Sequence, residues 1–400
     1  MRTIFRGGEV FDGTGARPAA ADVVVEGGVI VDVGPGLDGD ADIDVSGKTL
    51  LPGLFDCHTH VAIDGIDVWK IIQQPFSYRF FQAARNLERT LRAGITTVRD
   101  AGGADLGVKH AVQNGLIAGP RMQISIAMIC QTGGHGDGWL PSGNAYKLFP
   151  VHPGSPPAIV DGPDEMRRKV RELHRYGADV IKVATSGGVM SPRDKPHHAH
   201  FRPAELDVLV EEATAAGLFV MSHAQANEGI KNAVRAGIRS IEHGVYLDDE
   251  AVQLMVDNGT YLVPTLMAPA GVLVAADAGL SLPDAVVAKA REVVDVHRRS
   301  VCLAVEAGVK VAMGTDSGVT PHGDNLQELQ LMSECGMPPE RVLSATTSVA
   351  AELMGLQDEL GTIAPGKRAD LVAVEGDPLE LKTLPERVEA VYQDGVLVSS

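Results

Sequence analysis

Histidine, aspartate and lysine side chains recur where apolar stretches of this sequence end, and such residues could carry out chemistry together. His58 and His60 are one residue apart in "LFDCHTHVAI", residues 54–63. On a β-strand, side chains two positions apart point to the same face, so one metal ion could bind both histidines. Taken alone, the pair could equally be solvated or hydrogen-bonded within the core. Its interpretation depends on which other residues converge on it.

Further polar residues follow or interrupt other apolar segments. They are His135 in "CQTGGHGDG", Lys182 inside "VIKVAT", His223 after "LFVMS", His243 after "IRSIE" and Asp316 after "VKVAMGT". Imidazole and carboxylate ligands without thiolates suit Zn²⁺ or a similar divalent ion in a catalytic site with open positions. We therefore expect a metal site if the fold brings these segments together.

Lys182 lies within an apolar run, which predicts that its side chain is buried. A buried ammonium without a partner is costly, and burial lowers the pKa of a lysine. Two interpretations follow from the residues. Lys182 forms a salt bridge with a carboxylate inside the fold, or its neutral amine captures CO₂ as a carbamate, whose oxygen atoms could bridge two metal ions.

The middle of the chain alternates candidate strands with candidate helices. Two helices are predicted over residues 163–177 and 203–217, each with Pro near its start and Gly at its end. Eight apolar strands are predicted, over residues 50–58, 94–100, 122–130, 178–185, 218–223, 238–243, 260–266 and 309–316. Such alternation implies parallel strands buried on both faces, and a (β/α)8 barrel closes them most simply. Active sites of these barrels lie at the C-terminal strand ends, where the polar residues fall.

Both ends of the chain have short Val-rich segments separated by Gly and Asp, which is typical of antiparallel strands. Asp394 and Gly395 form a strong hairpin signal within the last of them. We expect residues 1–52 and 360–400 to form one composite β-sandwich, and residues 53–359 to form the barrel domain. The predicted fold class is therefore α/β, a TIM barrel with a small composite β-sandwich.

Composition and charge limit the partners that the protein could bind. The formal net charge is -17 and no cluster of Lys and Arg is present, which argues against nucleic acid. No apolar run reaches the roughly 18 residues of a membrane span, and the four cysteines include no CxxC pair. These features predict a cytoplasmic enzyme that acts on a small molecule.

The polar motifs together resemble the amidohydrolase superfamily. They are "FDCHTHV", "VIKVATSGGVMSP", "MSHAQANEGIKNAVRAG", "SIEHG", "MGTDSG" and "GTIAPGKRADLVAV". The resemblance covers nearly the whole chain, and it is to the branch that contains imidazolonepropionase-like proteins and metal-dependent Xaa-Pro and Xaa-Arg dipeptidases. It implies a metal-dependent hydrolase of C–N bonds, similar to dipeptidases and carboxypeptidases, that assembles as a homo-oligomer.

The resemblance also implies a binuclear metal centre. His58, His60 and Asp316 would hold the more buried divalent ion, and His223 and His243 would hold the second. Zn²⁺ is the expected metal. Two further ligands would bridge the ions, a hydroxide and Lys182 carboxylated on N6.

Two catalytic roles follow from the same resemblance. Asp316 would accept a proton from the attacking hydroxide and pass it to the departing amine. His135 would donate a hydrogen bond to the developing oxyanion. From its sequence alone, His135 could also be a histidine that caps a loop.

Substrate contacts are predicted with less support from the motifs. The dipeptidase branch commonly has a tyrosine two residues after the histidine of the fifth strand, whereas this chain has Gln225. Tyr246, Arg193 and His322 are further candidates for substrate binding, each with packing or solvent exposure as the alternative. Four other histidines fall on predicted helices or in distal loops and are expected at the surface: His110, His152, His174 and His297.

Three hypotheses for function follow. The main one is hydrolysis of an amide bond in a dipeptide or an N-acyl amino acid. A second keeps the same site but changes the substrate to a carbamate, urea, lactone or organophosphate. A third is a non-catalytic assembly protein that has kept the fold, and the complete set of metal ligands argues against it.

Overall fold

The computed structural model describes residues 1–145, 148–191 and 193–400. Its strands, in chain order, are β1 (Arg2–Arg6), β2 (Glu9–Val10), β3 (Ala19–Ala20), β4 (Asp22–Glu26), β5 (Val29–Gly34), β6 (Ala41–Asp44), β7 (Lys48–Pro52), β8 (Leu54–Thr59), β9 (Ile95–Asp100), β10 (Arg121–Ile124), β11 (Met128–Ile129), β12 (Val180–Ala184), β13 (Phe219–Ala224), β14 (Ser240–His243), β15 (Tyr261–Val263), β16 (Leu371–Glu375), β17 (Val388–Gln393) and β18 (Val396–Ser399). Its helices are α1 (Val68–Gln73), α2 (Tyr78–Arg92), α3 (Leu106–Gln113), α4 (Pro163–Arg175), α5 (Pro203–Ala215), α6 (Asn227–Arg235), α7 (Asp249–Asn258), α8 (Met267–Asp277), α9 (Asp284–Glu306), α10 (Gln327–Glu334), α11 (Pro339–Ala345) and α12 (Ser348–Met354).

Parallel strands in the middle of the chain form the predicted α/β fold. β8, β9 and β10 pair in parallel, and so do β11 to β15 in chain order. β10 and β11 are two parts of one strand position, because β10 pairs with β9 and β11 pairs with β12. The predicted strand over residues 122–130 is interrupted between them, where Ile126 has a φ of 68°, outside the β region.

The predicted eighth strand, residues 309–316, lies between β15 and β8 but is not a regular strand. Isolated parallel bridges join this part of the chain to both neighbours, Leu262 to Val311 and Thr59 to Ser317. Parallel strand positions therefore run from β8 to β15 and return to β8 through this segment. This closure is what a (β/α)8 barrel requires.

The predicted helices over residues 163–177 and 203–217 are observed as α4 and α5, each ending two residues earlier. Proline occupies the first helical position of both, where its missing N–H is not needed. Gly177 follows α4 with a φ of 91°, a conformation that ends a helix readily. Within the described residues, no helix combines the length and apolar character needed to span a membrane.

Two sheets outside the barrel combine strands from the two ends of the chain. One has the order β5-β4-β1-β6 and the other the order β18-β17-β16-β7-β2-β3. Buried residues of both sheets pack in one cluster that includes Phe5, Leu50 and Tyr392. Antiparallel pairing, which the sequence pattern predicts, prevails, but β1 pairs with β6 and β2 pairs with β7 in parallel. The boundaries 1–52, 53–359 and 360–400 stay a prediction.

An ionic network links the start of barrel strand β10 to the terminal strands. The Arg121 guanidinium donates to both carboxylate oxygens of Asp370 over 3.1 Å and to Asp394 over 2.7 Å. Arg368 donates twice to Asp394 over 2.9 Å. The Asp370 side chain is 2% exposed, so its charge depends on Arg121 for compensation.

Helix α8 depends on a carboxylate from another helix for its first backbone donors. The amides of Leu266 and Met267 donate to the two oxygens of Glu328, over 2.7 and 2.9 Å. Glu328 lies on α10 and is fully buried. Burial raises the pKa of Glu328 to about 8, although the two amide donors act in the opposite direction. The carboxyl group thereby replaces the intrahelical partners that the first turn lacks.

Replacing Arg121 with Met is expected to lower the free energy of unfolding by about 3 kcal/mol, because Asp370 would stay buried without its partner. Chemical denaturation followed by far-UV circular dichroism measures the change. Arg171→Met is the matched control, since Arg171 is 67% exposed and pairs with Glu212 at the surface. An equal loss in both variants would contradict a special role for the network.

Glu328 predicts a pH dependence of stability. An acid whose folded pKa is about 8, above its ordinary 4.5, keeps its proton in the folded state after the unfolded chain has released it. Its stabilising effect is therefore fully present below pH 4.5 and is lost as the pH rises through 8. Relative to Glu328→Gln, the wild type should lose up to about 1.4 kcal/mol per pH unit in this window. Urea denaturation at several pH values tests this, and parallel pH curves for the two proteins would refute it.

Candidate metal centre

Strand ends of the barrel bring the predicted metal ligands together. His58 lies in β8 and His60 directly follows it. Asp316 is the last residue of the segment 309–316, which lies between β15 and β8. The ligand atoms of these three residues all lie within 4.8 Å of one another. The imidazole of His243, at the end of β14, has its centroid 5.1 Å from that of His58 and 4.7 Å from that of His223. The four histidines and the aspartate therefore face one small volume.

Each of the four histidines uses one ring nitrogen in a hydrogen bond that points away from this volume. The bonds join His58 Nδ1 to Glu242 Oε2 (2.7 Å), His60 Nδ1 to the Gly102 carbonyl (2.9 Å), His223 Nε2 to the Gly187 carbonyl (3.1 Å) and His243 Nδ1 to Thr265 Oγ1 (2.7 Å). The Thr265 hydroxyl donates to the Pro264 carbonyl, so it accepts from the histidine. These acceptors set the tautomer of each ring and leave its other nitrogen available as a ligand. In His60 that nitrogen, Nε2, lies 3.3 Å from Asp316 Oδ1, the other group expected to bind the same ion.

Burial keeps three of these histidines neutral, which is the form that binds metals. It lowers the pKa of His58 to about 4 and holds the pKa of His223 and of His243 well below the ordinary value. The pKa of Asp316 is also lowered, but by a different cause, and here a lowered pKa favours the charged form. Burial alone would raise its pKa, but the hydrogen bond with His60 and the nearby imidazoles hold it well below its usual range. The carboxylate is therefore available as an anionic ligand.

Lys182 lies on β12 and is 1% exposed. Its Nζ has no hydrogen-bond partner, and no carboxylate oxygen lies within 4.0 Å of it among the described residues. The salt bridge that the sequence allowed is therefore not formed. Burial lowers the pKa of Lys182 to about 8, against the opposing charges of Glu242 and Asp316. A buried amine without a partner fits a site in which this side chain acquires a further group or ligand.

Glu242 and Arg99 support His58 and were not predicted from the sequence. Glu242 is fully buried, and it accepts from Arg99 over 3.0 Å and from Ser240 over 2.6 Å as well as bonding His58. Burial would raise the pKa of Glu242, but Arg99 and the bond with His58 lower it to about 2. Both residues lie inside apolar predicted strands, in "ITTVRD" and "IRSIEH". Their ionisable side chains at buried positions were the available signal.

A cavity of about 300 Å³ opens above these ligands. His58, His60, Lys182, His223, His243 and Asp316 line it, and so do His135, Gln225 and His297. The remaining wall is largely apolar, with Trp139, Phe149, Val151, Ile159, Met190 and Val272 among its residues. A mostly apolar cleft with a few convergent polar groups is the usual form of a small-molecule site.

The predicted substrate-binding residues are divided between the cavity and its surroundings. His135 and Gln225 line the cavity, whereas Tyr246, Arg193 and His322 do not. The Tyr246 hydroxyl donates to Glu292 over 2.7 Å. Arg193 lies over the ring of Trp139, itself a cavity residue, at 5.6 Å.

His322 and His135 are both held by neighbouring parts of the chain. Buried His322 contacts the Ile63 carbonyl through Nε2 over 2.9 Å. His322 is therefore placed to support the segment that follows β8. The ring of His135 stacks on that of His223, with centroids 4.1 Å apart and an interplanar angle of 15°.

The expectation that His297 lies at the surface is wrong. His297 is 1% exposed, and its Nε2 donates to the His243 carbonyl over 2.8 Å. It lies on α9 on the same face as buried Val293 and Val301, four residues to either side. This helical spacing was the signal in the sequence from which its burial could have been inferred. His110 and His174 are exposed as expected, whereas His152 is half-buried.

Two proposed ligands have backbone conformations that non-glycine residues seldom adopt. His243 has a φ of 71° and Asp316 a φ of 60°. Thr265, which accepts from His243, has a φ of 50°. Such left-handed residues cost energy and concentrate at functional sites. The backbone at these strand ends is thus shaped by the site as well as by the sheet.

Comparisons with known proteins identify the family of this chain. The model of the amidohydrolase family matches residues 49–398. Ochratoxinase of Aspergillus niger is 38% identical over 366 residues, which cover 87% of this chain and 75% of that protein. Its crystal structure has a TM-score of 0.87, with 34% identity over 100% of this chain and 96% of that chain.

Two solved peptidase structures match with higher TM-scores. A Xaa-Pro dipeptidase with methionine bound in its active site has a TM-score of 0.92 and 34% identity over 100% of both chains. A prolidase complexed with N-methylphosphonate-L-proline has a TM-score of 0.91 and 36% identity over 100% of this chain and 99% of that chain. The predicted superfamily is confirmed: this chain belongs to the amidohydrolase family and is a hydrolase of C–N bonds.

Proposed function

We propose that this protein is a binuclear metal-dependent amidohydrolase that cleaves the amide bond of a dipeptide or an N-acyl amino acid. One observation carries the proposal. Four histidines with preset tautomers, an ionised aspartate and a buried lysine that has no partner among the described residues meet at the bottom of an apolar cavity. Divalent cations fit this donor set.

The ligands divide naturally between two ions. His58, His60 and Asp316 would hold one divalent ion, because their ligand atoms already lie within 4.8 Å of one another. His223 and His243 would hold the second. Carboxylated Lys182 would bridge the two, which would give its partnerless Nζ a chemical role. Zn²⁺ suits ligands that are imidazole and carboxylate without thiolate.

The residues of this chain would share the proton transfers and the binding of charge. Bound divalent ions would supply a water nucleophile of lowered pKa and polarise the substrate carbonyl. Asp316 would accept a proton from that water and deliver it to the departing amine. His135 would donate to the carbonyl oxygen as negative charge develops on it.

The cavity favours substrates with apolar groups on either side of the scissile amide. Trp139 and Phe149 offer aromatic surface on its wall. Gln225 occupies the place where a tyrosine is common in dipeptidases, and its Oε1 has no partner among the described residues. Its Oε1 would accept from an N–H of the substrate, and its Nε2 would donate to a carboxylate or carbonyl oxygen of the substrate. The relatives named as ochratoxinase, Xaa-Pro dipeptidase and prolidase are consistent with this class of amide.

We further propose a cytoplasmic homo-oligomer. Several large apolar side chains on α1 and α2 are strongly exposed, including Trp69 at 65% and Phe81 at 74%. Exposed apolar surface of this kind is commonly covered in an assembly. Analytical ultracentrifugation of the purified chain measures its order.

Lys182→Ala is expected to lower the bound metal from about two ions per chain to about one or fewer, and to lower activity at least about 100-fold. The physical reason is the loss of the bridging ligand. Inductively coupled plasma mass spectrometry after loading with zinc and bicarbonate measures the metal. Added acetate or propionate should restore part of both properties, because a small carboxylate fits the space that the side chain leaves.

Lys310→Ala is the control for this experiment, since Lys310 pairs with Glu352 and is 49% exposed. It should keep full metal content and activity. A Lys182→Ala variant that keeps all its metal would remove the carbamate from the proposal. Well under two ions in the loaded wild type would remove the binuclear centre.

A hydrolysis panel tests the substrate class. The wild type is expected to turn over N-acyl derivatives of Phe and Leu, or dipeptides of these residues, at least about tenfold faster than their Asp and Glu counterparts, because the cavity wall is apolar. Carbamates, phenylureas and lactones complete the panel. If the protein hydrolysed only carbamates, phenylureas or lactones, the alternative substrates would replace the amides in the proposal. If it hydrolysed no compound of the panel, the result would favour a non-catalytic protein.

A further inference from the structure

A lysine of helix α9 holds the backbone of the loop that follows β12, where Val189 also packs against α9. We call residues 186–191 and 193–199 the β12 loop. The Nζ of Lys289, on α9, contacts the carbonyls of Gly188 at 2.8 Å, Ser191 at 2.7 Å and Asp194 at 3.1 Å. An ammonium group has three donors and no acceptor, so these three carbonyls use its full capacity. The Lys289 side chain is 12% exposed, which makes the contacts costly to exchange for water.

The same loop carries a carboxylate that bonds His135. The Asp194 side chain is 2% exposed. Its Oδ2 accepts from the Gly188 amide over 3.0 Å and lies 3.3 Å from His135 Nδ1. Its Oδ1 lies 3.5 Å from Lys289 Nζ. Asp194 therefore links the lysine of α9 to the ring of His135.

His135 is held on its other sides by close contacts. Its Nδ1 is also 3.1 Å from Ser191 Oγ, and its ring stacks on that of His223. A Cβ atom at Gly188 would lie 2.4 Å from His135 Cε1 and 2.8 Å from His223 Cε1, so the loop backbone presses against both rings. With Nδ1 engaged by Asp194, Nε2 is the nitrogen left for a substrate in the cavity.

We propose that Asp194 and Lys289 are positioning residues for His135. Asp194 orients the imidazole through its contact with Nδ1, and Lys289 holds the backbone that presents Asp194. This inference rests on the proposed function, in which His135 donates to the carbonyl oxygen. It assigns a role in the chemistry to α9, a helix that contributes no proposed metal ligand.

Steady-state kinetics of Lys289→Met and Asp194→Asn test the proposal on an N-acyl amino acid that the wild type hydrolyses. Both variants are expected to lower kcat about 10- to 100-fold with KM changed less than about threefold, as for other residues that orient a functional group. Zinc content should stay that of the wild type. Lys289→Arg should recover part of kcat, because its guanidinium can still donate to the loop carbonyls.

A double-mutant cycle separates positioning from general stability. If Lys289 acts through His135, then Lys289→Met should have almost no further effect on kcat in a His135→Gln background. Lys310→Met is the matched control, since Lys310 pairs with Glu352 away from the loop. Equal, multiplicative losses in the two backgrounds, or a loss of metal, would overturn the proposal.

A measurement without substrate keeps the inference distinct from the proposed function. Hydrogen exchange followed by mass spectrometry should show faster exchange over residues 186–191 in Lys289→Met than in the wild type and in Lys310→Met. Exchange that is unchanged in this segment would refute the tether. If the wild type hydrolysed none of the substrates while the exchange effect appeared, the proposed function would fail and the tether to the β12 loop would stand.

Discussion

The hydrogen bond between His58 and Glu242 is the interaction on which the candidate metal centre depends. Both side chains are almost wholly buried, so an uncompensated charge on either would cost several kcal/mol. Arg99 balances the carboxylate and at the same time donates to the Cys57 carbonyl on β8. The bond thereby sets the His58 tautomer, and the network joins β8, β9 and β14 from inside the barrel. Stability and ligand geometry here have the same cause.

Strained backbone at the C-terminal ends of the barrel strands is a second constraint on the same site. His243 and Asp316 adopt left-handed φ values, which the surrounding hydrogen bonds must offset. The His243 carbonyl accepts from buried His297, and the Asp316 amide donates to the His58 carbonyl over 2.8 Å. The strained residues are therefore held by groups from α9 and β8. A cost of this kind persists because the conformation directs side chains at one point.

Sequence periodicity predicts well what depends on the strands. His58, His223, His243 and Asp316 could be placed because strand ends follow from apolar runs and a barrel puts those ends on one face. What depends on packing between distant elements was not predictable in the same way. The spacing of His297 with Val293 and Val301 marks a buried face of α9, but it does not show that His297 contacts the His243 carbonyl. Lys289, the partner of Asp194, lies 95 positions later in the chain. Such contacts leave no local pattern in the sequence.

The division between strand ends and loops explains how chemistry and specificity can change separately. The proposed ligands lie on elements fixed by the barrel, whereas the apolar wall comes from loops, from α9 and from α8, whose first turn is capped by Glu328 on α10. Gln225 is different, because it directly follows β13, two residues after His223, and its backbone N–H donates to Ser186 Oγ over 2.7 Å. A residue at this position moves little when loops change. The identity of residue 225 should therefore influence which carboxylate or peptide group is recognised, while the loops decide which apolar groups fit around it.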